Sequence, residues 1–537
     1  MKWLAAGLAV LLLLVIGAAA AVPFLVDTPR IQAYIATSAT QTLGRPVTFA
    51  SVSLRVLPLP AVELRGLEVA EDPKFGPGPF LKLETGRIRL RLLPLLRGQV
   101  ELGDIVLEKP LVTIVQAPDG RLNIATLGTT AEPRAAAKPG RSPGGPGAAG
   151  AVAVARVKVD DGIVTYVARG TGAAAAQYRL SDVDLTLTGG GTQLAFKGDA
   201  RLQPGDVSLA LSDGLVAIGG AKPLTEASLR GKVAIAGKDI AALAAAAAGP
   251  NPALGGGVKG TLTLGGTVGA PTAAGEVELS GLTVTQDQPQ CPEPRRRTLA
   301  IPTVKLNADW QDQRLAARPM TATVAGGSVT TQMTVALDRG IRVQMADLAI
   351  KALPLEKVLV DYLCQGYAIT GPLDLTGGLG FAVRDLLNTL SGPGQFRVGA
   401  GRVVGPQALA LIGGVVRVGG AVSSILSADL PSRVFESPLE FDSITATYTL
   451  TNGVATTRDL LYTSRAMKVL MAGDYHLATG RMNLDMTITH GRGELKAKVT
   501  GTAASPQIRV SPATILRDID PEKAQKGIQD LLKRFGR

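Results

Sequence analysis

A mainly β chain with an N-terminal transmembrane helix in front of it is the fold class this sequence predicts, and three observations carry the prediction. From Trp3 to Val26 there is no charged side chain. After Gly44 the apolar residues recur with a period of two rather than near 3.6, the spacing of strands rather than helices. The 64 glycines and 34 prolines punctuate that alternation with turns, and aromatic residues make up only 4% of the chain.

The first element is the anchor, residues 1–26. A helix rises about 1.5 Å per residue, so about 20 apolar residues cross a bilayer core, and this stretch is long enough. Trp3, Leu11, Leu14 and Phe24 are its assigned membrane-facing residues. Lys2 precedes it and Asp27 and Arg30 follow, which keeps the N-terminus in the cytoplasm and sends the body across the membrane. A cleaved signal peptide is the competing reading, because Leu11 to Gly17 makes an h-region and Ala19-Ala20-Ala21 suits cleavage. On either reading the chain is exported.

Next, Thr28 caps a short helix that begins at Pro29, carries Ile31, Tyr34 and Ile35 at helical spacing, and stops at Gly44. Alternation follows. Ile88, Leu90 and Leu92 alternate with Arg87, Arg89 and Arg91, and Val183, Leu185 and Leu187 with Asp182, Asp184 and Thr186. Leu194 and Phe196 oppose Lys197, Asp199 and Arg201; Val277 and Leu279 alternate with Glu276 and Glu278. Met482, Leu484, Met486 and Ile488 alternate with Asn483, Asp485, Thr487 and Thr489, and Leu495, Ala497 and Val499 with Glu494, Lys496 and Lys498. Each such segment is a strand with one apolar and one polar face. Turns fall at Gln203-Pro204-Gly205-Asp206 and Asn452-Gly453.

Composition shifts divide the chain. Residues 27–130 form an N-terminal β module, and residues 131–150 a Pro/Gly/Ala-rich linker. Residues 151–350 form a middle β region and 351–511 a C-terminal one. Residues 512–537 form a basic amphipathic helix with Ile528, Leu531, Leu532 and Phe535 on one face. Short helices interrupt the strands at Asp239–Ala248, Leu355–Cys364, Val383–Leu390 and within Pro406–Leu426. About thirty strands at ordinary spacing expose an apolar face that these helices are too few to cover. Either the sheet closes into a sandwich or barrel, or it stays an open trough that holds a hydrophobic guest. The alternation itself leaves both open.

Several functions are disfavoured. The formal charge of +12 is spread along the chain, its one tight run, Arg295-Arg296-Arg297, lies in a Pro-flanked loop, and export argues against nucleic acid as a partner. Cys291 and Cys364 have no metal-ligand spacing and in an exported chain are either one bridge or two free thiols. His476 and His490 are too far apart for a tight metal pair, and no nucleophile elbow, phosphate loop or dinucleotide fingerprint occurs. Asp160, Asp161, Asp182 and Asp184 read as solvated strand or turn residues. The expectation is a protein that is not an enzyme, with no cofactor and no metal.

One resemblance sharpens this reading. Leu43-Gly44-Arg45-Pro46-Val47-Thr48-Phe49, the Pro94-Leu95-Leu96-Arg97-Gly98 segment, the Glu108-Lys109-Pro110 step into a strand and the Gly120…Asn123 turn, behind an N-terminal anchor, resemble the N-terminal module of the AsmA family of bacterial envelope proteins. Toward the C-terminus Ile369-Thr370-Gly371, the glycine-rich run through Gly405 and Asn452-Gly453-Val454 are similar to the family's other characteristic region. There Gly405-Pro406-Gln407-Ala408-Leu409 departs from the expected Gly-Ile-Asp-Leu.

The resemblance implies an elongated, curled antiparallel β-sheet groove on a single-pass bacterial inner-membrane anchor, with a large periplasmic body. It implies outer-membrane biogenesis, with membrane phospholipids and an outer-membrane or periplasmic protein as partners. Leu185, Leu187, Leu194, Phe196, Leu484, Met486 and Ile488 are the lipid-groove candidates. Conduction of acyl chains along the groove is the expected function, and a non-catalytic scaffold for outer-membrane protein assembly is the alternative.

Overall fold

A computed structural model describes residues 33–510, except 34–35, 38, 42, 56–60, 91–101, 128–155, 170–175, 191–192, 218–223, 338–339, 410–439, 466 and 491–492. The anchor with Trp3, Leu11, Leu14 and Phe24, the linker 131–150 and the stretch 512–537 lie outside the described residues. Among the described residues no helix is long and apolar enough to cross a membrane. The fold is mainly β, with large antiparallel sheet and a few short helices. The chain divides into two units, Met1–Ala247 with Val258–Gly275, and Ala248–Gly257 with Glu276–Arg537.

In the first unit, helical residues from 33 onward end at Gly44, whose left-handed φ of 68° lets its amide reach the Thr40 carbonyl at 2.9 Å. The strands follow as β1 (Val47–Thr48), β2 (Ser51–Arg55), β3 (Ala61–Ala70), β4 (Pro79–Leu90), β5 (Leu102–Glu108), β6 (Leu111–Gln116), β7 (Arg156–Ala168), β8 (Ala176–Gly190), β9 (Gln193–Gln203), β10 (Val207–Ala217), β11 (Ser228–Gly237) and β12 (Ala253–Gly266, whose first residues belong to the second unit). Both β1 and β2 pair with β3, and from β7 to β12 each strand pairs antiparallel with the next. One join differs. β5 and β6 are two halves of one line, broken at Lys109-Pro110, and both run parallel to β7. The strands flanking residues 131–150 are therefore direct neighbours in one sheet.

A buried polar cluster fastens the start of this sheet. Arg45 is 3% exposed; its Nη1 lies 2.9 Å from Glu71 Oε1, and its Nη2 donates to the Asn123 carbonyl at 2.6 Å and to Thr126 Oγ1 at 2.7 Å. Its guanidinium carbon sits 4.9 Å from the centre of the Phe80 ring. Asn123, fully buried, donates through Nδ2 to Glu71 Oε2 and to the Thr113 carbonyl. The arginine of the Gly-Arg-Pro turn and the asparagine of the Gly120…Asn123 turn thus meet although 78 residues apart.

In the second unit the strands are β13 (Pro271–Asp287, which begins in the first unit), β14 (Arg296–Gln311), β15 (Arg314–Val324), β16 (Gly327–Ala336), β17 (Arg342–Pro354), β18 (Pro372–Ala382), β19 (Gly392–Val398), β20 (Gly401–Arg402), β21 (Glu440–Phe441), β22 (Ser443–Thr451), β23 (Val454–Thr463), β24 (Lys468–His476), β25 (Arg481–His490), β26 (Gly493–Thr502) and β27 (Ser505–Val510). From β14 each pairs antiparallel with its successor, except that β19 pairs with β22 and the two-residue strands β20 and β21 pair with each other. Helices stand where the apolar spacing predicts them: Ala241–Ala248 (α1), the wide-turned Glu356–Tyr362, Val383–Asp385 running into Leu386–Thr389 (α2), and the turn beginning at Pro406.

Mid-strand irregularities recur in both units. Asp161, Asp182, Asp213 and Asp347 hold φ between 50° and 55° where the register of their strands shifts. Such bulges bend a strand and increase its twist. Carboxylates from neighbouring strands support them: Asp184 Oδ1 accepts the Asp161 amide at 3.1 Å, and Asp459 Oδ1 and Oδ2 accept the Thr447 amide and hydroxyl at 2.9 and 2.8 Å.

Two predictions follow from these contacts. Arg45→Ala leaves the Glu71 carboxylate buried without its cation, and should cost about 3–5 kcal/mol, read as lost hydrogen-exchange protection across β1, β3 and β4. The bonds from Thr447 hold the Asp459 carboxyl below its usual 3.8, so its support is fully present above that pH and is lost as pH falls through the lower folded value. Protection of the Thr447 amide, corrected for intrinsic exchange, should be constant near neutrality and fall only in acid, and Asp459→Asn should remove that pH dependence.

Candidate functional site

Register places one apolar surface across the first unit. Facing positions run Val159, Leu185, Gly198 and Leu211 in one row, and Val157, Leu187, Phe196 and Gly214 in the next. Leu194 faces Val216, and Leu209 and Leu211 face Ile235 and Val233. The predicted groove residues Leu185, Leu187, Leu194 and Phe196 are thereby brought together on β8 and β9, all half-buried. They are lined up, and among the described residues of the unit they belong to no closed core cluster. One end is better shielded, where α1 approaches: Leu243 Cβ comes within 3.1 Å of where a side chain on Gly205 would begin, next to the buried Val207.

Glycine shapes this surface. A Cβ on Gly214 would lie 2.5 Å from the Phe196 ring, and one on Gly231 would lie 3.2 Å from Gly214 Cα. The ring therefore lies down along a lane of glycines rather than standing up from the sheet. The result is a wall of low relief. The opposite face is charged, with Lys158–Asp160, Arg201–Asp182 and Lys232–Asp213 at 2.7, 3.5 and 3.1 Å. These exposed pairs contribute little stability but keep that face in water.

The other three predicted residues sit in a different setting. Met486 is 9% exposed within a packed core with Leu355, Val398, Phe441, Ile444, Met482 and the fully buried Val499; Leu484 and Ile488 pack against it. The core is closed from above by segments outside the sheet. Ile369 bridges Val403, the Gly366 carbonyl accepts amides of Gln407 and Ala408 at 2.8 and 3.0 Å, and the Ala368 carbonyl accepts those of Val404 and Gly405. A Cβ on Gly405 would lie 2.3 Å from the Gly366 carbonyl, so glycine there permits the approach. Tyr367 donates its hydroxyl to the Ala503 carbonyl, and its pKa is raised by burial. Met486 is therefore enclosed, while Leu484 and Ile488, half-buried like the four residues on β8 and β9, differ from them in packing against a closed core.

Other residues singled out from sequence have structural places. Cys291 and Cys364 form a disulfide. Asp161 and Asp182 sit at bulges, and Asp184 caps one. Arg295 pairs with Glu293 at 3.0 Å, and Arg297 donates to the Pro292 carbonyl. His476 ends β24, and His490 ends β25. Alternation had no means of showing the glycine lane or the covering segments, since both depend on which strands become neighbours.

The two settings predict different costs of truncation. Leu187→Ala and Leu194→Ala should each cost about 1 kcal/mol or less, because the face already meets solvent, whereas Met486→Ala should cost about 2–5 kcal/mol by leaving a cavity. Denaturant unfolding followed by exchange within each unit checks the difference.

Residues 1–257 match the model of the AsmA family. No curated protein and no solved structure matches the chain.

Proposed function

Residues 1–257 belong to the AsmA family, and on that premise we propose that the chain serves biogenesis of the bacterial envelope and outer membrane by conducting phospholipid acyl chains along the apolar face of β7–β12. The observation that carries this reading is the row of Leu185, Leu187, Leu194 and Phe196, aligned in register, half-buried and without a covering layer among the described residues of their unit. Burial of one CH₂ contributes about 0.8 kcal/mol, so a long chain is held firmly in total yet advances along a uniform wall in small steps. The glycine lane under Phe196 keeps that wall smooth. Head groups stay in water at the rim. Catalysis and a cofactor have no part in the reading.

Export to an oxidising compartment accords with the Cys291–Cys364 bridge and with the uncharged stretch from Trp3 to Val26. We place the body in the periplasm on an inner-membrane anchor, with no nucleic-acid partner. A scaffold role in outer-membrane protein assembly is the second reading, favoured by the core around Val499, which is filled by the chain's own side chains.

Photo-crosslinking amino acids at Leu185 and Leu194 in the full chain, irradiated in native membranes, test the first reading. Covalent phospholipid adducts are expected at both, and a comparable residue on the charged face, such as Lys197, should give none. Silence at Leu185 and Leu194 together would overturn conduction and leave the scaffold.

A further inference from the structure

The connector between β17 and β18 has features that neither packing nor turn formation requires. Leu355, Leu359, Tyr367 and Ile369 from this connector lie on the apolar face formed by Leu373, Phe396, Val398 and Met482 of the sheet. Together they take the position that a guest would take on the half-buried face of β7–β12 in the first unit. The backbone is unusual here. Glu356–Tyr362 is a wide-turned helix in which the Leu363 amide bonds Val358, five residues back, at 2.9 Å. Cys364 then adopts a left-handed φ of 46°, a conformation that L side chains disfavour.

Besides its bonds to the 402–408 segment and that of Tyr367 to Ala503, the connector is tied to the rim. Cys364 is bonded to Cys291 in the turn between β13 and β14, and Gln290 Nε2 of that turn donates to the Leu363 carbonyl at 2.8 Å. Gln290 Nε2 also donates to Gln288 Oε1 at 3.0 Å, with Gln288 itself buried. A covalent bond and a side-chain clasp thus meet at the residue where the connector's backbone is least comfortable.

Building on the proposed function, we propose that residues 355–371 are a clasped plug occupying a second hydrocarbon-chain site, the apolar face of β18–β27. With the disulfide intact that face is closed; when a protein dithiol reduces it to two thiols, itself becoming a disulfide in the exchange, the connector lifts and an acyl chain takes the place of Leu355, Leu359 and Ile369. The plug is a tethered stand-in for the guest.

The test uses the full chain with the disulfide intact and as the double variant Cys291→Ala, Cys364→Ala, each carrying p-benzoylphenylalanine in place of Phe396 or, separately, Leu187. Both are irradiated with vesicles of phosphatidylethanolamine and phosphatidylglycerol, and hydrogen exchange is followed in parallel. The intact chain should capture phospholipid at position 187 only. The double variant should capture it at both positions, with exchange across 355–371 faster by about tenfold or more and exchange in β22–β26 unchanged. Unchanged exchange across 355–371, accelerated exchange in β22–β26, or equal capture at position 396 in both proteins would overturn the plug. Capture at position 187 alone in the double variant overturns the plug and leaves the groove standing. Capture at neither position overturns the groove, and the plug with it.

Discussion

Pairing of each strand with its neighbour in sequence is the constraint from which the rest of this molecule follows. A meander satisfies backbone hydrogen bonding as it grows, one hairpin at a time, but it spends the chain on width and produces no second layer. A sheet with one apolar face still has to shield that face. The two units meet the demand differently. In the second, segments between β17 and β18 and after β19 fold onto the sheet and close a core around Val499. In the first, α1 shields one end of the face and the middle stays half-buried.

Curvature comes from within the strands. A bulge inserts an extra residue on one strand, and here the residue that adopts the left-handed conformation is repeatedly aspartate, a side chain that tolerates it better than most. A bulge also reverses parity. Leu180 faces Leu202, whereas Leu185 faces Gly198, so an even and an odd position on β8 share one face across the break at Ser181/Asp184. Strand β9, without a break, keeps Leu194, Phe196, Ala200 and Leu202 on a single parity and acts as the ruler against which its neighbours are set.

Much of this is legible in the sequence. The two-residue period located strands, Gly44 located a helix stop, and short apolar runs located the helices at Ala241 and Glu356, because each is a local consequence of local spacing. Other features were not legible, for a physical reason in each case. Asp161 and Asp182 read as polar-face residues because a bulge is defined by the partner strand, not by its own sequence. Arg45 and Asn123 read as separate turn markers because their hydrogen bond spans 78 positions. Leu187 and Met486 carry the same alternation, yet one is open and the other enclosed; what distinguishes them is a connector elsewhere in the chain. The pairing of Cys291 with Cys364 needed the rim geometry that places two distant turns side by side.

The parallel run of β5 and β6 beside β7 sets a further condition. Strands that point the same way cannot be joined by a tight hairpin; the chain has to travel back along their whole length before starting again, which takes a dozen residues or more. Asp104 can face Arg156 and Leu111 can face Ile163 only because the sequence between Gln116 and Arg156 is long enough for such a return. A deletion that took this sequence below that length would force β7 to turn around, facing Leu111 and Val112 with the wrong residues and unmaking the join between the first strands and all those that follow in the unit.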